Sequence, residues 1–141
     1  MDRDESKVFF GSKKMSRKDM EDSVDAVFDS VANKYDLMNN LMSFGLHKLW
    51  KRKAIDILSL NQVKDNGLII DIASGTCDLG KIIKSREKGR LNLICSDKNH
   101  NMLRIGRNKM IDEGLILDTS FCCFDALNIP LVDNSVDRVI T

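Results

Sequence analysis

The sequence has almost no excess of charge of either sign. Its 141 residues contain 22 Lys and Arg against 21 Asp and Glu, a formal net charge of +1 at pH 7. A nucleic-acid-binding protein usually carries a basic excess that draws it to the phosphate backbone. The balance therefore argues against nucleic acid as a partner, and we expect none.

Long apolar runs are also lacking. A membrane-spanning helix needs roughly 20 consecutive apolar residues, and no stretch of the chain approaches that length. The N-terminal segment MDRDESKVFF mixes acidic and basic residues without the apolar core of a secretory signal, and it is too acidic for a typical mitochondrial transit peptide. We therefore expect a cytoplasmic protein.

Cysteine and histidine are too few and too scattered for a metal site. The four cysteines show no CxxC spacing, and only two histidines, His47 and His100, could join them. Zinc sites normally use closely spaced pairs of these residues, so we predict no metal. The cysteines are predicted to be reduced packing residues. They are Cys77, Cys95, Cys122 and Cys123.

The glycine pattern of nicotinamide-binding proteins is missing as well. Their first strand–helix turn carries G-x-G-x-x-G, which brings the backbone close to a diphosphate. Here the corresponding turn has only Gly75 and Gly80. A nicotinamide oxidoreductase is therefore disfavoured. A nucleoside cofactor without phosphate does not need those glycines.

Three kinds of segment follow one another along the chain. Residues 1–16 are polar and mixed, which predicts a flexible leader. Residues 17–60 carry apolar side chains at steps of three and four, which predicts an N-terminal helical cap. One of its helical stretches runs from Leu46 to Leu58. Residues 61–141 are predicted to form an α/β domain.

Strand patterns alternate with helical patterns in that third segment. Leu68 to Ala73 is nearly continuous in apolar residues, as expected of a strand buried on both faces of a parallel sheet. Further strands are predicted at 91–95, 120–124 and 136–140, and helices at 78–84 and 99–113. This alternation predicts βαβ units and a Rossmann-like parallel sheet.

Three strand ends carry side chains that suit a nucleoside. In the segment 71–80, DIASGTCDLG, small residues and Gly75 let a ligand approach the backbone. Asp97 follows about twenty residues later, a spacing that suits a ribose. Asp125 and Ala126 end the third strand, where a carboxylate can reach an adenine amino group and the small Ala126 leaves space for the ring. The alternatives are an ordinary tight turn at Gly75 and a helix-capping role for Asp97.

A longer segment carries a more specific resemblance. Residues 35–50, YDLMNNLMSFGLHKLW, resemble the signature of the ubiquinone/menaquinone biosynthesis C-methyltransferases. Residues 27–32, VFDSVA, and the three strand-end motifs resemble the same family, so that the resemblance runs from about Phe10 to the end of the chain. It implies a class I methyltransferase fold. It also implies transfer of the methyl group of S-adenosylmethionine to a ring carbon of a polyprenylated quinol, either demethylmenaquinol or a methoxy-polyprenyl-benzoquinol.

The resemblance assigns roles to individual residues. The implied cofactor site comprises Asp71, Gly75, Thr76, Asp97, Asp125 and Ala126, of which Asp71 and Gly75 shape the turn. Three residues of the cap are candidates for the substrate side, namely Tyr35, Asn39 and His47. Helix capping by Asn39 and packing by His47 are the alternatives, and no catalytic base is assigned.

A basic run within the cap has two interpretations. Lys48, Lys51, Arg52 and Lys53 can contact anionic headgroups while a lipid-tailed substrate leaves the bilayer, which predicts peripheral contact with the inner membrane. The alternative is a solvated helix face.

The sequence departs from the family pattern in two ways. Cys77 stands where the family has a glycine, and a side chain there costs about 1 kcal/mol if the backbone φ is positive. Because Cys77 has no spaced Cys or His partner, we predict a tolerated substitution and no functional thiol.

The chain also ends inside its fourth predicted strand, and the C-terminal strands of the family are missing. We therefore expect an exposed sheet edge that promotes self-association. The alternative function is a catalytically silent fragment that binds cofactor weakly or acts only as an interaction piece.

Overall fold

Two sheets are present in the computed structural model, which describes residues 7–10, 13–16, 19–20, 23–24, 26–27 and 46–141. The smaller sheet pairs β1 (Lys7–Phe10) with β2 (Lys13–Ser16) in antiparallel fashion. The larger sheet is parallel and has the strand order β5-β4-β3-β6. Its strands are β3 (Leu68–Ile72), β4 (Asn92–Asp97), β5 (Thr119–Cys123) and β6 (Arg138–Ile140).

Helices connect the strands of the parallel sheet. The helices with described bounds are α1 (Leu46–Ile57), α2 (Asp78–Glu87) and α3 (His100–Asp112), with a short 3-10 helix at Leu60–Gln62. Because α2 joins β3 to β4 and α3 joins β4 to β5, both are crossovers of the βαβ type. Within the described part of the chain, no helix is long and apolar enough to cross a membrane.

Local sequence signals explain where two of these helices begin. Asn99 is the N-cap of α3, and its side-chain oxygen accepts a hydrogen bond from the Met102 N–H at 2.9 Å. Helix α2 has Asp78 in its first turn and basic residues in its last, an arrangement that complements the helix dipole.

One face of the parallel sheet carries the core. The strand register places Ile69 beside Leu93 and Cys95 beside Phe121 on this face. Helical side chains such as Ile83 and Met110 pack against them in one cluster. The opposite face is covered less evenly, because Ile70 is 1% exposed whereas Val139 of the edge strand β6 is 54% exposed.

The predicted α/β architecture is confirmed. The four strands predicted in residues 61–141, and the helices predicted at 46–58, 78–84 and 99–113, are all present, and no end differs from its predicted position by more than three residues. In the predicted cap, the described residues Met20, Val24 and Val27 are helical. Most of the first helical stretch of the cap lies outside the described residues.

The structure corrects the prediction for the leader. Strands β1 and β2 lie inside residues 1–16, for which the polar and mixed composition had predicted no regular structure. The two strands pair along their full length, from Lys7 opposite Ser16 to Phe10 opposite Lys13. Because pairing depends on cross-strand neighbours, a segment's composition alone is a weak guide to it.

Candidate functional site

The turn after β3 has an unusual backbone. Ala73, Gly75 and Cys77 have φ values of 56°, 54° and 60°, all in the left-handed region. The turn is tied to β4 by a hydrogen bond of 2.8 Å from the Ser74 N–H to the Ser96 carbonyl. A left-handed backbone costs roughly 1–2 kcal/mol for a residue with a Cβ, so Ala73 and Cys77 are strained. Backbone strain that is retained at a strand end is typical of a binding site. It therefore favours a binding site over an ordinary tight turn at these residues.

Asp97 joins this turn to the end of the neighbouring strand. Its Oδ2 accepts a hydrogen bond from the Gly75 N–H at 2.7 Å, and its Oδ1 accepts one from the Asn99 N–H at 2.8 Å. Asn99 is the N-cap of α3, so the capping role that was the alternative for Asp97 belongs to Asn99. Each carboxylate oxygen has two acceptor sites, and Asp97 can therefore still accept ligand hydroxyl groups.

Asp71 is the buried acid of the site. It lies in β3 between Ile140 of β6 and Cys95 of β4, on the core face of the sheet. The residue is 1% exposed. Among the described residues, neither of its carboxylate oxygens has a hydrogen-bond partner. A carboxylate in such a place has lost water without gaining donors, which is costly for its charged form.

The electrostatics of the site follow from that burial. Burial raises the pKa of Asp71 to about 7, although the backbone N–H of Gly80, close by but outside hydrogen-bond geometry, opposes the shift. The carboxylates of Asp97 and Asp78 raise this pKa further, and the Lys51 ammonium lowers it. The charges that act on Asp71 are thus two negative and one positive, a balance that suits a cationic ligand better than a phosphate.

Two glycines allow close packing around the turn. A Cβ on Gly106 of α3 would lie 2.7 Å from the Thr76 carbonyl carbon and 2.5 Å from the Cys77 Sγ. A Cβ on Gly80 of α2 would lie 2.7 Å from the Cys95 Sγ. Sequence reasoning missed Gly106 as a site residue. Its signal was an isolated glycine inside a helical pattern, which often marks close approach of another backbone.

The residues that follow β5 are more exposed than the turn after β3. Asp125 and Ala126 are exposed, and the Asp125 Oδ1 accepts a hydrogen bond from the Leu127 N–H at 2.9 Å, a local turn contact. The strand register pairs Cys123 with Asp97, so Asp125 follows β5 at the same edge of the sheet. Asp71, Gly75, Thr76 and Asp97 are therefore brought together, and the Asp125–Ala126 pair flanks them.

Three residues are predicted to face the substrate, and the structure describes one of them, His47. His47 lines a cleft of about 370 Å³ between α1, α2 and residues 113–115. At this cleft Lys51 of α1 forms an ion pair with Asp78 at the start of α2. Tyr35 and Asn39 lie outside the described residues.

Solved structures define the class of the fold. The chain is similar to an S-adenosylmethionine-dependent methyltransferase of Clostridium acetobutylicum with a TM-score of 0.58 and 22% sequence identity. The match covers 76% of this chain and 42% of that one. The protein therefore has the Rossmann-like α/β fold of the class I methyltransferases.

Sequence comparison then gives the family. The model of the ubiE/COQ5 methyltransferase family matches residues 14–141, and the chain belongs to that family. It is 41% identical over 135 residues to the ubiquinone/menaquinone biosynthesis C-methyltransferase UbiE of Methylococcus capsulatus, covering 96% of this chain and 53% of the relative. The UbiE of Idiomarina loihiensis is also 41% identical, with 98% and 54% covered. The chain spans about half the length of these relatives.

Proposed function

We propose that this protein takes part in S-adenosylmethionine-dependent C-methylation of a polyprenylated quinol, as the names of its relatives indicate for them. The observation that carries the proposal is the hydrogen bond from the Gly75 N–H to Asp97. This bond holds the turn after β3 against Asp97, the last residue of β4, at the carboxyl edge of the sheet, where ligands of such folds bind.

The residues present fit the cofactor. S-adenosylmethionine carries a sulfonium, an ammonium and a ribose but no phosphate, and the site offers carboxylates without a phosphate-binding glycine pattern. Asp97 would hold the ribose hydroxyls, Asp125 and Ala126 would contact the adenine, and Asp71, Gly75 and Thr76 would shape the wall of the pocket. The unpartnered oxygens of buried Asp71 leave a place for a positive charge. When bound, the cofactor supplies an electrophilic methyl group.

The protein's own contribution is positioning. A quinol that loses a phenolic proton is a carbon nucleophile at the ring position next to the oxygen, so the chain must align the ring and exclude water. We place Tyr35, Asn39 and His47 on the substrate side. For His47 the support is its position in the cleft beside Lys51 and Asp78.

Calorimetry and a transfer assay test this function. The 141-residue chain should bind S-adenosylmethionine, and its product S-adenosylhomocysteine, with one site. Methyl transfer is then measured by mass spectrometry with short-tailed demethylmenaquinol and methoxy-benzoquinol substrates. Failure to bind either cofactor form would contradict the proposal. Binding without transfer to any quinol would support the second candidate, a cofactor-binding but catalytically silent chain.

We also propose peripheral contact with an anionic membrane through α1. This helix contains four Lys or Arg and one Asp, a net charge of +3, whereas the whole chain carries +1. An exposed apolar stripe runs beside these charges, formed by Leu46, Leu49, Trp50 and Ile57. Basic side chains next to exposed apolar groups are typical of helices that lie in the interface of a bilayer.

The single tryptophan of the chain reports on that contact. Trp50 is 72% exposed, so its emission should shift to shorter wavelength when vesicles containing phosphatidylglycerol are added. Pure phosphatidylcholine vesicles should have a smaller effect. Arg52→Glu should weaken the shift, whereas Arg107→Glu on α3 is the matched control. An emission maximum that does not respond to either lipid would refute this contact.

A further proposal is self-association through β6. This strand is an edge of the described sheet, it pairs only with β3 there, and Val139 is 54% exposed. An apolar edge with unpaired backbone groups is a template for another chain. Light scattering after size-exclusion chromatography should show a mass that rises with concentration and falls in Val139→Lys. A monomer at all concentrations would contradict it.

A further inference from the structure

We propose that Lys51 is a positioning residue of the cofactor site: its ion pair with Asp78 holds helix α1 against the first turn of α2, beside the buried carboxyl group of Asp71. The ion pair and the burial are features of the described structure. That Asp71 faces a cationic cofactor rests on the proposed function.

Lys51 differs from the other basic residues of α1. Three of them, Lys48, Arg52 and Lys53, are exposed. The Lys51 side chain is only 26% exposed. It lies one helical turn before Ile55, so both side chains are on the same face of the helix, and Ile55 is 2% exposed in the core cluster. Lys51 is therefore on the face of α1 that packs against the domain, and the description of a solvated helix face does not apply to it.

The ion pair brings the Lys51 ammonium to the start of α2. The Lys51 Nζ donates to the Asp78 Oδ2, and the Asp78 side chain is 25% exposed. Asp78 directly follows Cys77, the N-cap of α2, which ends the strained turn. Both partners also line the cleft that contains His47. The ion pair therefore borders the cofactor turn as well as the proposed substrate side, and its partial burial shields it from solvent and salt.

The same turn of α2 packs on Asp71. A Cβ on Gly80, two residues after Asp78, would lie 3.9 Å from the Asp71 Oδ2. Asp71 is 1% exposed, and neither of its oxygens has a hydrogen-bond partner among the described residues. A buried carboxyl group without donors responds strongly to nearby charge, because the interior of a protein screens charges poorly. Lys51 is therefore placed to influence whether Asp71 is ionised.

Two carboxylates oppose Lys51 at this position. Burial is the main cause of the raised pKa of Asp71. The carboxylates of Asp97 and Asp78 raise this pKa further, and the Lys51 ammonium lowers it. An ionised Asp71 attracts the positive charge of the cofactor, so the Lys51 charge favours the form of Asp71 that binds it. The remaining titratable groups around Asp71 are two thiols, those of Cys77 and Cys95.

A second ion pair between the same two helices provides a matched control. The Arg86 Nη1 lies 2.6 Å from the Asp56 Oδ1, and these side chains are 36% and 55% exposed. Arg86 is in the last turn of α2, at the opposite end from Asp78. Within the described part of the chain, neither charge is among those that act on Asp71. Breaking this pair should loosen the contact between the helices without changing the charge at the cofactor turn.

Urea unfolding from pH 4 to pH 9 tests the effect on Asp71 without any cofactor. Stability falls with rising pH until folded Asp71 has lost its proton. In Lys51→Met the fall should extend to higher pH, because the pKa of Asp71 rises when the positive charge is removed. In Asp78→Asn it should end at lower pH, because a negative charge is removed. Both variants break the same ion pair, so a role confined to packing would not move the two profiles in opposite directions.

Two further variants complete the unfolding test. Lys51→Arg keeps the charge and Asp56→Asn breaks the control pair, so both should follow the pH profile of the wild type. Profiles of Lys51→Met and Asp78→Asn that move in the same direction, or that do not move, would overturn the proposal.

Titration with S-adenosylmethionine from pH 6 to pH 8 tests the consequence for the site. Affinity should rise with pH as Asp71 ionises. At pH 7 it should be about three- to tenfold weaker in Lys51→Met than in the wild type, and close to the wild type in Lys51→Arg and Asp56→Asn. An unchanged affinity in Lys51→Met would overturn the link between Lys51 and the cofactor. A wild-type chain that does not bind the cofactor, while the unfolding profiles move in opposite directions, would count against the proposed function and not against the effect of Lys51 on Asp71.

Discussion

The two halves of the carboxyl edge of the sheet are built differently. On the side of β3 and β4, the turn at residues 73–77 is held by Asp97 and packed against α3, with Thr76 and Cys77 buried. On the side of β5 and β6, residues 125–135 are mostly exposed, and Leu127 and Val132 are more than 80% exposed. The first half is held by contacts within the chain, whereas the second consists of local turns.

This difference follows from strand order. β3 and β4 are the central strands, so each has neighbours on both sides, and α3 packs against the turn that follows β3. β5 and β6 are the edges of the described sheet, and the segment between them has few anchors beyond short turns such as the one at Asp125. We therefore expect substitutions in the central half to change stability and affinity more than those in the outer half.

The largest effect is expected from Asp71→Asn. An unfolded Asp ionises near its usual pKa of 3.8, whereas folded Asp71 keeps its proton up to about pH 7. Because the folded state binds more protons in this window, stability is highest below about pH 4 and falls as the pH rises to about 7. The asparagine variant cannot ionise, so it should lack this fall. Above pH 7 it should be more stable than the wild type, by on the order of 4 kcal/mol.

Urea unfolding from pH 4 to pH 8 measures this difference. The internal control is the comparison near pH 4, where both proteins carry a neutral side chain at position 71 and should differ least. Parallel pH profiles of the two proteins would show that Asp71 ionises freely in the folded state. The central half of the site would then be more open to water than its burial indicates.

Asp97→Ala should have the next largest effect. Hydrogen bonds that involve a charged group contribute about 1.5–3 kcal/mol, so we expect S-adenosylmethionine affinity to fall roughly ten- to a hundredfold. Titration calorimetry on the folded variant measures the loss. Unchanged affinity would remove Asp97 from the cofactor site and leave it as a structural link between Gly75 and Asn99.

Asp125→Ala is the matched test in the outer half. This carboxylate is exposed and holds only the Leu127 N–H in the described structure. A single exposed hydrogen bond to an adenine amino group is worth about 0.5–1.5 kcal/mol, so affinity should fall only about two- to tenfold. A loss as large as that of Asp97→Ala would show that ligand binding orders the outer half as firmly as the central one.

Sequence patterns predicted the elements of the site better than the contacts between them. The apolar run at 68–73 identified β3, and the strand-end positions of Asp97 and Asp125 followed from the alternation of strands and helices. The bond from the Gly75 N–H to Asp97 depends on the register of the parallel strands β3 and β4. The register of parallel strands pairs residues that are far apart in the chain, so no local sequence pattern predicts it. The hairpin of β1 and β2 was missed for a different reason: its two segments are close in the chain, but their composition is a weak guide to pairing.

Cys77→Gly should have the smallest effect, because two opposing terms nearly cancel. Glycine relieves the left-handed strain at φ 60°, worth roughly 1–2 kcal/mol. It also removes a fully buried side chain that packs against Gly106, and the loss of such a small apolar group costs about 1–2 kcal/mol. We expect stability within about 1 kcal/mol of the wild type and cofactor affinity that is equal or improved, since the turn becomes free to relax around its ligand. Thermal unfolding and calorimetry on reduced protein measure both. Loss of binding in Cys77→Gly would show that the thiol, and not the glycine found in the family, shapes this half of the site.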